Sequence, residues 1–120
     1  MNYENFCSQI LETDPKIRFA IVYDSWAKRV AGGLRKGLDT LLSETAEKEL
    51  VNLSILNWNT RKNLSKSLGK TIYTLAEHEN VKRFSFYLGE DYLLLLSTEK
   101  DADTNAVVDQ VIKLYYKNKN

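Results

Sequence analysis

The chain is poor in the residues from which most metal, redox and nucleophilic sites are built. It has one cysteine, Cys7, and one histidine, His78, in 120 residues. A single cysteine forms no internal disulfide, so folding requires no oxidising compartment. A single histidine makes no histidine-rich metal site, and a single thiol does not support a cysteine-containing zinc site. Cys7 lies on an apolar helical stripe and reads as a small buried hydrophobe. His78 sits between Glu77 and Glu79 and reads as a solvated turn residue. An excess of one charge is also missing. Lys and Arg number 17 against 16 Asp and Glu, a net charge of +1, without the basic surplus usual in a nucleic-acid binder. The longest apolar run, Tyr92 to Leu96, is far short of a membrane span. Met1 to Asn5 lacks the basic-then-apolar layout of a signal peptide. Phosphate-binding glycines are absent too. Gly32, Gly33 and Gly37 lack the Walker spacing and its Lys-Ser/Thr end, and no GxGxxG occurs. The expectation is a cytoplasmic protein with no catalytic centre, no cofactor, no metal, no nucleic-acid partner and no membrane span.

What is present is an ordinary globular composition, 43% hydrophobic and 28% charged, read as one domain over residues 1–120. Tyr3, Phe6, Cys7, Ile10 and Leu11 make a helical stripe. Asp14-Pro15 ends it, because the residue before proline is pushed out of the α region. Ile17 to Tyr23 is rich in β-branched and aromatic residues and reads as a strand buried on both faces. Asp24 to Lys28 turns, and Arg29 to Leu34 returns. Gly32-Gly33 inside that strand predicts a bulge or a close backbone approach. Ser43 is placed to cap a long helix that runs to about Leu68 and ends at Gly69. Thr71 to His78, Val81 to Leu88 and Tyr92 to Thr98 read as a three-strand meander, with the last in the sheet centre. Asp101 or Asp103 caps a final helix carrying Val107, Val108, Val111, Leu114 and Tyr115. Lys117 to Asn120 reads as a frayed tail. The fold class is α/β, in the order α-β-β-α-β-β-β-α, with a five-stranded, mainly antiparallel sheet and helices on both faces.

The long helix carries more apolar surface than one sheet face needs. Ala46, Leu50, Leu53, Leu64 and Leu68 are read as its core stripe, and Val51, Ile55 and Trp58 as a second stripe for a partner. Arg61, Lys62, Lys66 and Lys70, with Lys82 and Arg83 on a neighbouring strand, form a candidate cationic patch. A solvated helix end is the plainer alternative. Trp58 and Arg61 have the spacing to stack. Trp26 at a hairpin tip either marks a contact surface or folds back over the sheet edge. Helix capping explains Asp101 and Asp103 more simply than a metal site does.

Two stretches resemble the roadblock/LC7 (longin-related) family. Phe19 to Ala31 is similar to its first hairpin, an apolar strand, an Asp-centred turn and a strand ending in small residues. Asp91 to Asp103 is similar to its last strand and the acidic cap of the closing helix. The likeness runs from about Ile17 to Tyr115. The sequence departs from the family at Trp26-Ala27-Lys28, where a glycine is usual, so it resembles a divergent member. The resemblance implies a non-catalytic homodimer in which Thr71 to His78 pairs with its twin and the long helices pack together. It also implies a scaffolding or regulatory role toward a small Ras-like GTPase. The interface residues expected on this reading are Val51, Ile55, Trp58, Tyr73 and Leu75. The expected partner surface is Trp26, Arg61, Lys62 and Lys66. The alternative is a PAS- or profilin-like small-ligand sensor, with Tyr23, Tyr73, Phe84 and Tyr87 around a cavity.

Overall fold

The computed structural model describes residues 1–119. Asn120, the end of the expected tail, lies outside the described residues. The elements are α1 (Tyr3–Thr13), β1 (Ile17–Asp24), β2 (Arg29–Leu34), α2 (Glu44–Lys62), α3 (Ser65–Leu68), β3 (Tyr73–Glu77), β4 (Val81–Leu88), β5 (Tyr92–Glu99) and α4 (Thr104–Asn118). The expected order holds, with α3 added. Local chemistry sets most boundaries. Asn2 caps α1 by accepting from the Asn5 N–H at 3.0 Å, and Ser43 caps α2 by accepting from the Ala46 N–H at 3.1 Å. Asp103 is the cap of α4, whereas Asp101 pairs with Lys16 at 3.1 Å.

The long helix is shorter than its sequence pattern. After Lys62 the N–H groups of Asn63 and Leu64 turn back to the carbonyls of Thr60 and Arg61. That i−3 bonding tightens and ends the α-helix. One further turn, α3, follows and stops at Gly69, which takes a φ of +81°. The third strand is also shorter than its pattern, and α4 runs on to Asn118, into the expected tail.

The sheet order is β2-β1-β5-β4-β3, and all neighbours are antiparallel. The apolar run of β5 is central, as its composition requires, and β1 beside it is buried on both faces. One sheet face presents Ala20, Val22, Phe84, Phe86, Leu94 and Leu96 to α1 and α4, which contribute Phe6, Ile10, Val107 and Val111. The other presents Phe19, Ile21, Tyr23, Leu93 and Leu95 to α2. Each such aliphatic or aromatic side chain contributes about 1.5–3 kcal/mol on burial.

Along α2 and α3 the second stripe, not the first, supplies the buried side chains, while Ala46 and Leu50 of the first are half-buried. Val51 and Trp58 are only 4% and 3% exposed, packed on the sheet with Ile55 beside them. Leu53, Leu64 and Leu68 face solvent, together with Leu56. Both stripes have helical spacing, so periodicity does not choose between them. Packing does: the Trp58 ring stacks on Tyr87 of β4 at 5.6 Å. Val51 and Trp58 are therefore not left wet in a single chain.

Candidate functional site

The two edges of the sheet are built differently. In β2 antiparallel alternation turns the backbone groups of Gly32 and Leu34 away from β1, and Gly32 takes a φ of +91°. A side chain there would place its Cβ 2.1 Å from the Ala20 carbonyl oxygen and 2.9 Å from Cys7 Sγ. The glycine repeat thus marks the close backbone approach expected from the sequence. Its N–H donates to both carboxylate oxygens of Glu4 at 3.3 Å, and its carbonyl accepts from the Arg29 guanidinium. At Gly32 this edge is occupied by side chains.

The β3 edge is bare. His78 donates to the Val81 carbonyl, and Ile72 accepts from the Tyr87 N–H. Antiparallel alternation then turns Thr74 and Ala76 toward β4 and turns the backbone groups of Tyr73, Leu75 and Glu77 outward. Among the described residues nothing bonds these outward groups. The strand carries none of the lysines or prolines that blunt exposed edges. Leu75 is 38% exposed, Ile72 just before the strand 63%, and Leu53 and Leu56 stand on the solvent side of α2. Of the expected interface residues, Tyr73 and Leu75 lie on this edge, while Tyr73 also stacks on Phe86 at 5.6 Å. Sequence reading missed Leu56, Glu4 and Arg29. Helical spacing from Leu53 signals the first; no local pattern signals the other two.

At the N-terminal end of β3 lies a groove of about 400 Å³, between the end of α2, the strand-leading segment, the end of β4 and α4. Its lining includes Arg61, Lys62, Lys70 and Lys119, with Glu90 as the one carboxylate among the described residues. The expected Trp58–Arg61 stack does not form. Lys62 instead lies over the Trp58 ring at 4.1 Å and donates to the Glu90 carbonyl. Lys70 pairs with Glu90 at 2.8 Å. That hydrogen bond raises the lysine pKa and lowers the carboxylate's. Lys66 is exposed on α3 and does not line the groove. Lys82 and Arg83 leave the expected patch: Lys82 donates to the Ala102 carbonyl and Thr104 Oγ1, and Arg83 pairs with Glu47 at 2.8 Å. Trp26 is 89% exposed and does not fold back.

A second cleft, of about 670 Å³, opens under the N-terminal part of α2 and the chain that precedes it. Tyr23 lines it beside Phe19, Ile21 and Leu50, and the tyrosine's pKa is raised, chiefly by burial. The aromatic residues expected around a ligand cavity do not converge there. Tyr87 lines the basic groove, and Tyr73 and Phe84 belong to the opposite sheet face. Cys7 is buried, and burial, then the nearby Glu4 charge, pushes its thiol up to about 12. His78 is exposed on the β3–β4 turn, remote in the fold from that thiol. Among the described residues no group of His, Cys, Asp and Glu side chains is placed to hold a metal ion. No helix among them is long and apolar enough to cross a membrane.

Comparison with solved structures shows the fold to be that of roadblock/LC7 domains. A roadblock/LC7 domain from Streptomyces avermitilis superposes with a TM-score of 0.72 at 11% identity, over 95% of this chain and 92% of that one. The gliding protein MglB from Thermus thermophilus gives a TM-score of 0.74 at 17% identity, over 92% and 81% of the two chains. Profilin from Schizosaccharomyces pombe gives 0.65 at 8% identity, over 97% and 95%. No curated protein matches the sequence. A family model does, over residues 1–119, and the chain belongs to that family, the family of unknown function DUF6659.

Proposed function

We propose that this chain is a non-catalytic, homodimeric protein-interaction module. The bare β3 edge carries the reading. It presents outward N–H and C=O groups that nothing among the described residues bonds, and pairing with a twin satisfies them. The helical half of the contact moves from the expected Val51, Ile55 and Trp58 to Leu53 and Leu56, because the former pack within the chain. Tyr73 and Leu75 keep their place in it.

The roadblock/LC7 resemblance extends the proposal to a small Ras-like GTPase as the further partner, in the cytoplasm. Exposed Trp26 and the basic Arg61 and Lys62 lie toward the same end of the sheet. The β1–β2 hairpin with Trp26 and the β4–β5 hairpin beside Lys62 meet there through the Asp24–Tyr92 and Leu88–Tyr92 pairs. These residues, with Lys66 on α3, are the proposed partner surface.

Sedimentation at micromolar concentration tests the dimer, with Leu56→Asp as the variant. The expected result is a dimer that Leu56→Asp shifts toward monomer. An unmodified protein that sediments as a monomer refutes the reading. Nucleotide-dependent binding to a small GTPase, lost on Trp26→Ala, tests the second half. The 670 Å³ cleft favours the sensor alternative, and binding of a small ligand that Tyr23→Phe or Leu50→Arg abolishes would select it.

A further inference from the structure

We propose that the basic groove at the start of β3 is one half of a charge lock, and that the acidic β3–β4 turn of a second copy of this chain closes it. The inference rests on the homodimer reading and adds a register and a set of residues to it.

The register follows from which backbone groups point outward. Tyr73, Leu75 and Glu77 face away from β4. A twin approaching antiparallel can satisfy every one of these groups in a single alignment, with Leu75 opposite Leu75 and Tyr73 opposite Glu77 of the twin. A slip by one residue sets outward groups against inward ones, and a slip by two leaves an end residue unpaired. Continued past the strand end, the same alignment sets Ile72, Thr71 and Lys70 opposite His78, Glu79 and Asn80 of the twin. Neighbouring strands lie ~4.8 Å apart, within side-chain reach across and along the diagonal.

Charge then matches at that meeting point. The groove around Lys70, Thr71 and Ile72 carries Arg61, Lys62, Lys70 and Lys119 against Glu90. The turn carries exposed Glu79, and exposed Glu77 at the end of β3 precedes it, already paired with Lys82 at 3.9 Å. Among the described residues Arg61 has no ion-pair or hydrogen-bond partner for its guanidinium, and Glu79 has none for its carboxylate. Within one chain these two residues sit at opposite ends of β3. The two-fold relation that pairs β3 with itself brings each toward the other, twice per dimer. It also sets the unpaired charge of each copy beside its opposite, which disfavours slipped registers.

Charge swaps and a cross-link test the lock. Arg61→Glu and Glu79→Arg should each weaken the dimer about 5- to 10-fold at low salt, and the double variant should recover to within about threefold of the unmodified protein. Raising the salt toward 1 M should shrink the single-variant effects. In a Cys7→Ser background, Thr71→Cys with Glu79→Cys should give an oxidised, covalent dimer. Within one extended strand those two positions are ~26 Å apart, too far to bridge each other. A dimer that is indifferent to both single swaps, or that forms no 71–79 cross-link, overturns the lock and leaves the homodimer reading standing. A monomeric unmodified protein overturns both.

Discussion

The β2 and β3 edges are the two ends of one sheet, and they handle unpaired backbone in opposite ways. At β2, three residues from two segments converge on Gly32: Glu4 and Cys7 from α1, and Arg29 from the strand itself. At β3, short length and an unmodified edge leave Tyr73, Leu75 and Glu77 open. Sheet edges are a liability for a lone soluble chain. One edge thus has a carboxylate and a guanidinium on an outward backbone unit, and the other has its outward units free, which is the asymmetry the proposed pairing uses.

Of the two edges, β2 is the more sensitive to substitution, at Gly32. Gly32→Val forces a β-branched residue into a positive φ and against the Ala20 carbonyl. It should cost about 3–5 kcal/mol, read by urea denaturation. A cost near zero would mean that Gly32 is not packed as described. The next effect separates the faces of β3. Thr74→Pro removes a donor that points at β4 and should cost roughly 2–3 kcal/mol. Leu75→Pro removes a donor that points outward. It should change the stability of the dilute chain by less than about 1 kcal/mol while abolishing the dimer. Equal losses for the two prolines would refute the assigned parity.

The thiol beneath β2 sharpens the contrast by pH. Cys7 keeps its proton up to about 12 in the folded chain, against an ordinary value of 9.0. Between those values the unfolded chain has lost a proton that the folded chain retains. Stability is therefore full well below pH 9 and falls as pH rises toward 12, by ~1.4 kcal/mol per pH unit at most. Tyr3 and Tyr23, whose values are also raised, act in the same direction. Cys7→Ala should flatten the slope above pH 9, measured by denaturation at a series of pH values; an unchanged slope would refute the assignment. The smallest effect is at Glu4. Glu4→Gln weakens an exposed contact to the Gly32 N–H and should cost about 0.5 kcal/mol by the same denaturation. A loss of several kcal/mol would show that the carboxylate holds more than the edge.

Much of the site was legible in part. The turn at Trp26 and the helix-end cations were readable from local pattern. Their grouping was not. Lys82 and Arg83 adjoin the cationic helix end on paper, yet Thr104 and Glu47 draw them away. Arg61 was expected over Trp58, and Lys62 holds that position instead. In each case competing partners lay far along the chain, and only their positions in space decide which one wins.

By itself the sequence determined the elements and their order. Proline after Asp14, serine and aspartate caps, paired glycines and two distinct apolar periods act over a few residues, so they survive without tertiary context. It also determined that β5 is central, because only a strand covered on both faces tolerates Tyr92 to Leu96. The tertiary structure alone decided which stripe of α2 faces the sheet and which sheet edge stays open. Periodicity fixes the spacing of side chains around a helix, but not the direction in which a stripe points. That direction came from Trp58 finding Tyr87, and the occupied edge from Glu4 reaching Gly32, contacts between residues that lie close only after the chain has folded.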